Sequence, residues 1–172
     1  MRLGDISGAR RSAERFDRIA AHRPRWSSDD QLTDPRVLAA LLALPAGDTA
    51  RAHDLVVQAL TSAGYFSGKR RKIFRSSLIL AAETALALRH PAEALRYARD
   101  ARAVVTLDSL TETRSAYVGE ARLVEARALL ASGDSAGARS TLARSVEALR
   151  TGAGPAHPLT REAERLLATL RS

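Results

Sequence analysis

The chain has 172 residues, 45% of them apolar, which suits one compact domain or one short array of repeats and excludes wholesale disorder. It carries 27 Lys and Arg against 19 Asp and Glu, a net charge of +8, and it has no cysteine, which excludes disulfides, thiolate zinc sites and cysteine nucleophiles. Alanine and leucine dominate while aromatic residues make up only 4%, so helix is favoured over strand throughout.

Residues 1–34 read as a basic N-terminal arm. Residues 1–26 hold seven arginines against Asp5, Glu14 and Asp17. The opening "MRLGDISGARRSAERF" lacks the apolar middle of a secretory signal, and no stretch approaches 18 apolar residues. A cytoplasmic protein with no membrane association is therefore expected. Within "GARRSAERFDRIAAHRPRW" (8–26), Ala9, Phe16, Ile19 and Ala20 fall at the spacing of a short amphipathic helix with a thin apolar stripe. Trp26 either pins this arm onto the rest of the chain or, with Phe16 and Ile19, docks on a second chain.

From residue 35 the sequence repeats. The segments "LAALLALPAGDTARAHDLVVQAL" (38–60), "LAAETALALRHPAEALRYARDAR" (80–102) and "VEARALLASGDSAGARSTLARSV" (124–146) share a ladder of small residues. Ala40, Ala52, Val56 and Ala59 in the first correspond to Ala82, Ala94, Ala98 and Ala101 in the second. Ala126, Ala138, Leu142 and Ser145 follow in the third, so the periods are 42 and 44 residues. Turn signals fall at matching places, Ala46–Asp48, Arg89–Pro91 and Gly133–Asp134. Each unit therefore reads as helix, tight turn, helix, with bounds near 35–64, 72–106 and 109–152.

Start and stop signals agree with this division. Asp34-Pro35 offers an N-cap followed by a first-turn proline, and Asp48 and Asp134 can cap the second helices of units one and three. His90-Pro91 opens the second helix of unit two. Ser109 with Glu112 makes a capping-box pattern at the front of unit three. Gly47, Gly64, Gly133 and Gly152 are the expected stops. The predicted fold is all-α: a short helical-repeat solenoid of about three helix-turn-helix units, with an N-terminal helical arm and a C-terminal capping helix over 158–171.

Between units one and two lies "SGKRRKIFRS" (67–76), where Lys69, Arg70, Arg71, Lys72 and Arg75 form a basic patch without a neighbouring acid. The connection runs from Gly64 to about Lys72, and the cations crowd the first turn of the helix "IFRSSLILAAETALAL". Positive charge there opposes the helix dipole, at a cost of a few tenths of a kcal/mol or more. A solvated loop, contact with nucleic-acid phosphates and contact with an acidic protein all fit such a run. It is no phosphate loop: "GYFSGKR" (64–70) has three residues between its glycines, an arginine after the lysine, and a helix before it.

A small residue, a turn and then a small–large–small triplet resembles the tetratricopeptide repeat family. "GAGPAHPLTREAERLLATL" (152–170) resembles the long-period, kinesin-light-chain-like version, in which a Gly-Pro-x-His-Pro linker leads into the next helix. The resemblance covers residues 35–171. The chain departs from it at Glu125, where the family shows a large apolar residue, and at aromatic positions filled here by alanine or leucine. The resemblance implies that first helices line a concave groove for an extended peptide or a partner's helix. In the repeat frame Ile79, Glu83 and Leu86 of unit two, with Leu123, Arg127 and Leu130 of unit three, point into it; completing the packing between helices is the other role open to them. Arg161, Glu162, Arg165 and Arg171 are expected on the wet side of the capping helix.

Catalytic chemistry finds little to work with. The histidines (His22, His53, His90, His157) show no His-x-x-x-His or His-Glu-x-x-His pair, and His90 and His157 stand before prolines as cap residues. Glu83, Glu120 and Glu125 lie on first helices, but paired-carboxylate catalysis needs two acids in one dry pocket. The expectation is a non-enzymatic protein-interaction adaptor or scaffold with no cofactor and no metal. The alternative is a nucleic-acid-associated regulator that contacts phosphate through the two basic segments. A homodimer, paired through the arm or the open first edge, is as well supported as a monomer.

Overall fold

The computed structural model describes residues 34–65, 75–106 and 109–170. Among them it contains eight α-helices and no strand, arranged as helical hairpins in a repeat-like, all-α series. The first hairpin pairs α1 (Pro35–Ala43) with α2 (Thr49–Ser62) through a 3-10 turn at Leu44–Ala46. The second pairs α3 (Arg75–Ala87) with α4 (Pro91–Val105). A six-residue α5 (Ser109–Arg114) precedes α6 (Ala116–Ala131), which pairs with α7 (Ser135–Gly152), and α8 (Pro158–Thr169) follows. The chain divides into two compact units, Met1–Ser77 and Leu78–Ser172, with the boundary inside the first turn of α3.

Local chemistry explains where the helices start. The Asp34 carboxylate accepts from the Arg36 amide at 2.9 Å, Asp48 from Arg51 at 3.2 Å and Asp134 from Gly137 at 2.8 Å. Each satisfies an amide that the helix itself leaves unbonded. Proline opens α1, α4 and α8, where the missing N–H costs nothing.

The three hairpin turns are the same turn. Gly47, Arg89 and Gly133 take φ of 79°, 63° and 84°. In each, the residue after the left-handed one donates back across the helix end: Asp48 to Ala43, His90 to Ala85 and Asp134 to Leu129, at 3.1, 2.8 and 2.9 Å. The left-handed residue donates to the next carbonyl along, Leu44, Leu86 or Leu130, at 3.0 Å in every case. This pair of bonds is the Schellman motif. These residues carry the 42- and 44-residue periods of the alanine ladder.

The ladder itself is the packing surface. All twelve of its positions are buried, from Ala40 at 0% to Ala59 at 4%. Small side chains let backbones approach, and Ser145 uses that closeness: its hydroxyl donates to the Gly119 carbonyl on α6 at 2.7 Å. A Cβ on Gly119 would stand 2.6 Å from the Leu149 Cγ, so glycine is what allows α6 and α7 to meet at that level.

In the second unit α6 is central. It packs against α4 and α7, and α7 packs in turn against α8 and α5. Ten of its sixteen residues are buried, including Arg122 and Glu125. One core cluster joins Leu123 and Ala126 to Leu142 and Leu149 of α7 and to Ala163 and Leu167 of α8. Another joins Ala85 of α3, Ala94 of α4 and Ala128 of α6.

Two boundaries differ from expectation. Ser109 and Glu112 begin a separate short helix, because Ser115 takes an extended conformation and caps α6 itself, accepting from the Val118 amide at 3.5 Å. Gly152 is the last residue of α7 rather than its stop; Gly154, at φ 93°, ends the element. A Cβ on Gly152 would meet the Arg114 carbonyl at 2.7 Å, so its role is close approach to the α5–α6 junction. The arm over 1–33 and the basic residues Lys69, Arg70, Arg71 and Lys72 lie outside the described residues.

Candidate functional site

Of the six residues expected to line a groove, the structure separates two from the rest. Ile79 is 7% exposed and Leu123 1%, and Leu123 is a core residue packed against α7 and α8. Neither side chain can meet a ligand from there. The cause is simple: α3 around Ile79 and α6 around Leu123 are both covered on several sides, so a position that faces a groove on an ordinary amphipathic helix is sealed here. Leu86 is half-buried against the Ala85–Ala94–Ala128 cluster. Arg75 lies in the first turn of α3 and donates to the Ser76 hydroxyl at 3.2 Å.

Glu83, Arg127 and Leu130 do reach a shared surface. Arg127 on α6 stands 3.7 Å from the Glu83 carboxylate on α3 and pairs on its other side with Glu162 on α8. One guanidinium thus spans three helices. Burial pushes the Glu83 carboxyl above its ordinary value; Arg127 works against this, and the nearby Glu120 carboxylate adds to it. Glu83 still keeps 45% of its side chain in water, so the effect is partial.

Beside this bridge, α6 and α8 bound an open cleft of about 440 Å³. Leu130, Leu166 and Thr169 supply its apolar surface, and Arg127, Glu162 and Arg165 its charged walls. Arg165 also faces a second hollow of about 530 Å³ along α8, with Pro158, Arg161 and Glu164. Glu164 is held there by Arg150, whose Nε donates at 2.6 Å. Arg161 and Arg165 are both exposed, and neither is ion-paired with a described acid; the Arg165 Nε donates only to the Arg161 carbonyl, at 3.3 Å.

The α8 wall escaped the sequence reading, which put Glu162 and Arg165 on a solvated face. The available signal was Ala163, fully buried where α8 meets its neighbours, since Glu162 and Leu166 lie one and three positions from it and flank that contact.

The buried charged groups Arg122 and Glu125 tie helices together. Glu125, the residue that departs from the tetratricopeptide pattern, is buried and accepts from Arg99 and Arg102 of α4, each through Nε at 3.1 Å. Arg122, with 5% of its side chain exposed, donates to the Glu112 carbonyl at 2.8 Å and pairs with the Glu112 carboxylate. Burial lowers the Arg122 pKa, with Glu112 opposing the shift. Glu83 and Glu125 are therefore held by different arginines and do not share a pocket. His157 caps α8, its Nδ1 accepting from the Leu159 amide at 3.3 Å. His90 occupies the cap position of α4 without making a cap bond, its Nδ1 lying 3.7 Å from Glu93. Among the described residues no three His, Asp or Glu side chains gather at a spacing that would hold a metal ion, and no helix is long and apolar enough to cross a membrane.

The chain matches no protein-family model and no curated protein.

Proposed function

We propose that the chain is a non-enzymatic interaction module, an adaptor that receives a peptide or helix of a protein partner in the cleft between α6 and α8. The observation that carries this reading is the cleft itself, an open apolar surface formed by Leu130, Leu166 and Thr169 within a rim of charged side chains. A desolvated apolar centre with a polar rim is the usual build of a surface that binds protein. The repeat ladder supports the same reading, since stacked helical hairpins of the tetratricopeptide kind present such surfaces between successive helices.

Site-directed photocrosslinking tests it. A photoreactive residue at Thr169, in the cleft, is expected to trap one discrete protein partner in cells. The same residue at Ser140, on the exposed face of α7, is expected to trap none. Leu166→Asp should abolish the Thr169 adduct while helicity is retained. Equal trapping from both positions, or none from Thr169, overturns the proposal.

A further inference from the structure

The charges around the cleft are distributed unevenly, and the unevenness has a direction. Arg127 sits in the middle with its charge already met by Glu83 and Glu162. On the α3 side Glu83 is half in water, held by one long contact of 3.7 Å, and the Glu120 carboxylate acts on it from nearby. Two carboxylates thus share the one Arg127 guanidinium, and Glu83 is the more exposed and more loosely held of them. On the α8 side Arg161 and Arg165 are exposed, one turn apart, and unpaired with any described acid, so the surplus there is positive. The cleft beside Arg127 carries the apolar side chains of Leu130 and Leu166.

We infer that the cleft reads charge polarity: it takes a protein segment with a basic residue toward Glu83, apolar residues at Leu130 and Leu166, and acidic residues on Arg161 and Arg165. This rests on the cleft being a peptide site. Carboxylates on a guanidinium form charge-assisted hydrogen bonds, and Arg161 and Arg165 are the groups here with donors to give. A segment laid in reverse places its acids against Glu83 and its base against the two arginines, so both ends repel it. Nucleic acid is a poorer occupant, because a uniform row of phosphates meets Glu83 and Glu162 along with the arginines.

Selection on the full chain from a displayed library of random peptides, about fifteen residues and so ~50 Å when extended, tests this. The expected winners carry an apolar centre with a basic residue toward one end and acids toward the other. Resynthesised with their charges exchanged, they should bind at least about tenfold more weakly. A second selection on the exposed double variant Arg161→Glu, Arg165→Glu should lose the acidic end and keep the apolar centre. Winners with apolar residues and no charge polarity, or identical winners from both proteins, overturn the polarity and leave the peptide cleft standing. An empty selection, or winners that fail to block labelling from Thr169, removes the cleft reading and the polarity with it.

Discussion

Arg89 holds a left-handed backbone at φ 63° in a turn whose counterparts in the other two hairpins are Gly47 and Gly133. The turn requires that conformation because its two closing hydrogen bonds, to Ala85 and Leu86, form only when this residue reverses the chain. A side chain with a Cβ crowds the carbonyl there, at a cost of about 1 kcal/mol relative to glycine. Arg89→Gly is accordingly expected to stabilise the protein by about 0.5–1 kcal/mol, which for a chain of this size raises Tm by roughly 1–4 °C. Arg89→Ala should gain none of this, since alanine keeps the Cβ. Thermal unfolding of the two variants separates backbone strain from any effect of losing the arginine's charge. The turn was legible in the sequence by position, at the 42- and 44-residue spacing of the ladder. Its left-handed residue was not, because arginine gives no hint of positive φ where glycine does.

Among the helices, α5 and α6 show what sequence periodicity conveys and what it hides. The ladder marked where helices touch, since small residues are needed wherever backbones come close, and every ladder position is buried. It said nothing about how many sides of a helix are covered. α6 is enclosed widely enough to bury an arginine and a glutamate, so Leu123 went to the core and Glu125 became a tie to α4. The Ser109–Glu112 pattern was read as the front of a single helix. Glu112 in fact serves as partner to Arg122, and Ser115 starts the next helix. This predicts an asymmetry. Glu112→Ala leaves the buried Arg122 guanidinium with only a backbone carbonyl, and removing one partner of a buried pair costs about 3 kcal/mol where burial is complete and less where, as here, the acid is partly exposed. Arg122→Leu removes the buried charge and leaves Glu112 able to turn to water, so it should cost about 1 kcal/mol or less. Urea unfolding of the two variants and their double mutant measures both terms and their coupling. Equal costs for the two single changes would show that the pair is not what fixes α5 to α6.

For the whole molecule, charge is the property that composition states most plainly and the described structure accounts for least. Its surplus of +8 arises in residues 1–26 and 67–76, both outside the described residues apart from Arg75 and Ser76. A polycation of this kind will adsorb to any polyanion at low salt, whatever its function. If the five cations from Lys69 to Arg75 do no more than neutralise phosphate, duplex and single-stranded DNA of unrelated sequence will bind alike. Affinity should then fall roughly 500-fold between 50 and 200 mM salt, as expected for about five released counterions. Reversing Lys69, Arg70, Arg71 and Lys72 to glutamate should abolish that binding, preserve helicity, and leave crosslinking from Thr169 unchanged, because the described walls of the cleft come from α6 and α8. Fluorescence anisotropy at the two salt concentrations, run beside the crosslinking assay, decides the matter. Sequence-selective binding that survives 200 mM salt, or loss of the Thr169 adduct on charge reversal, would shift the function from the cleft to the basic run.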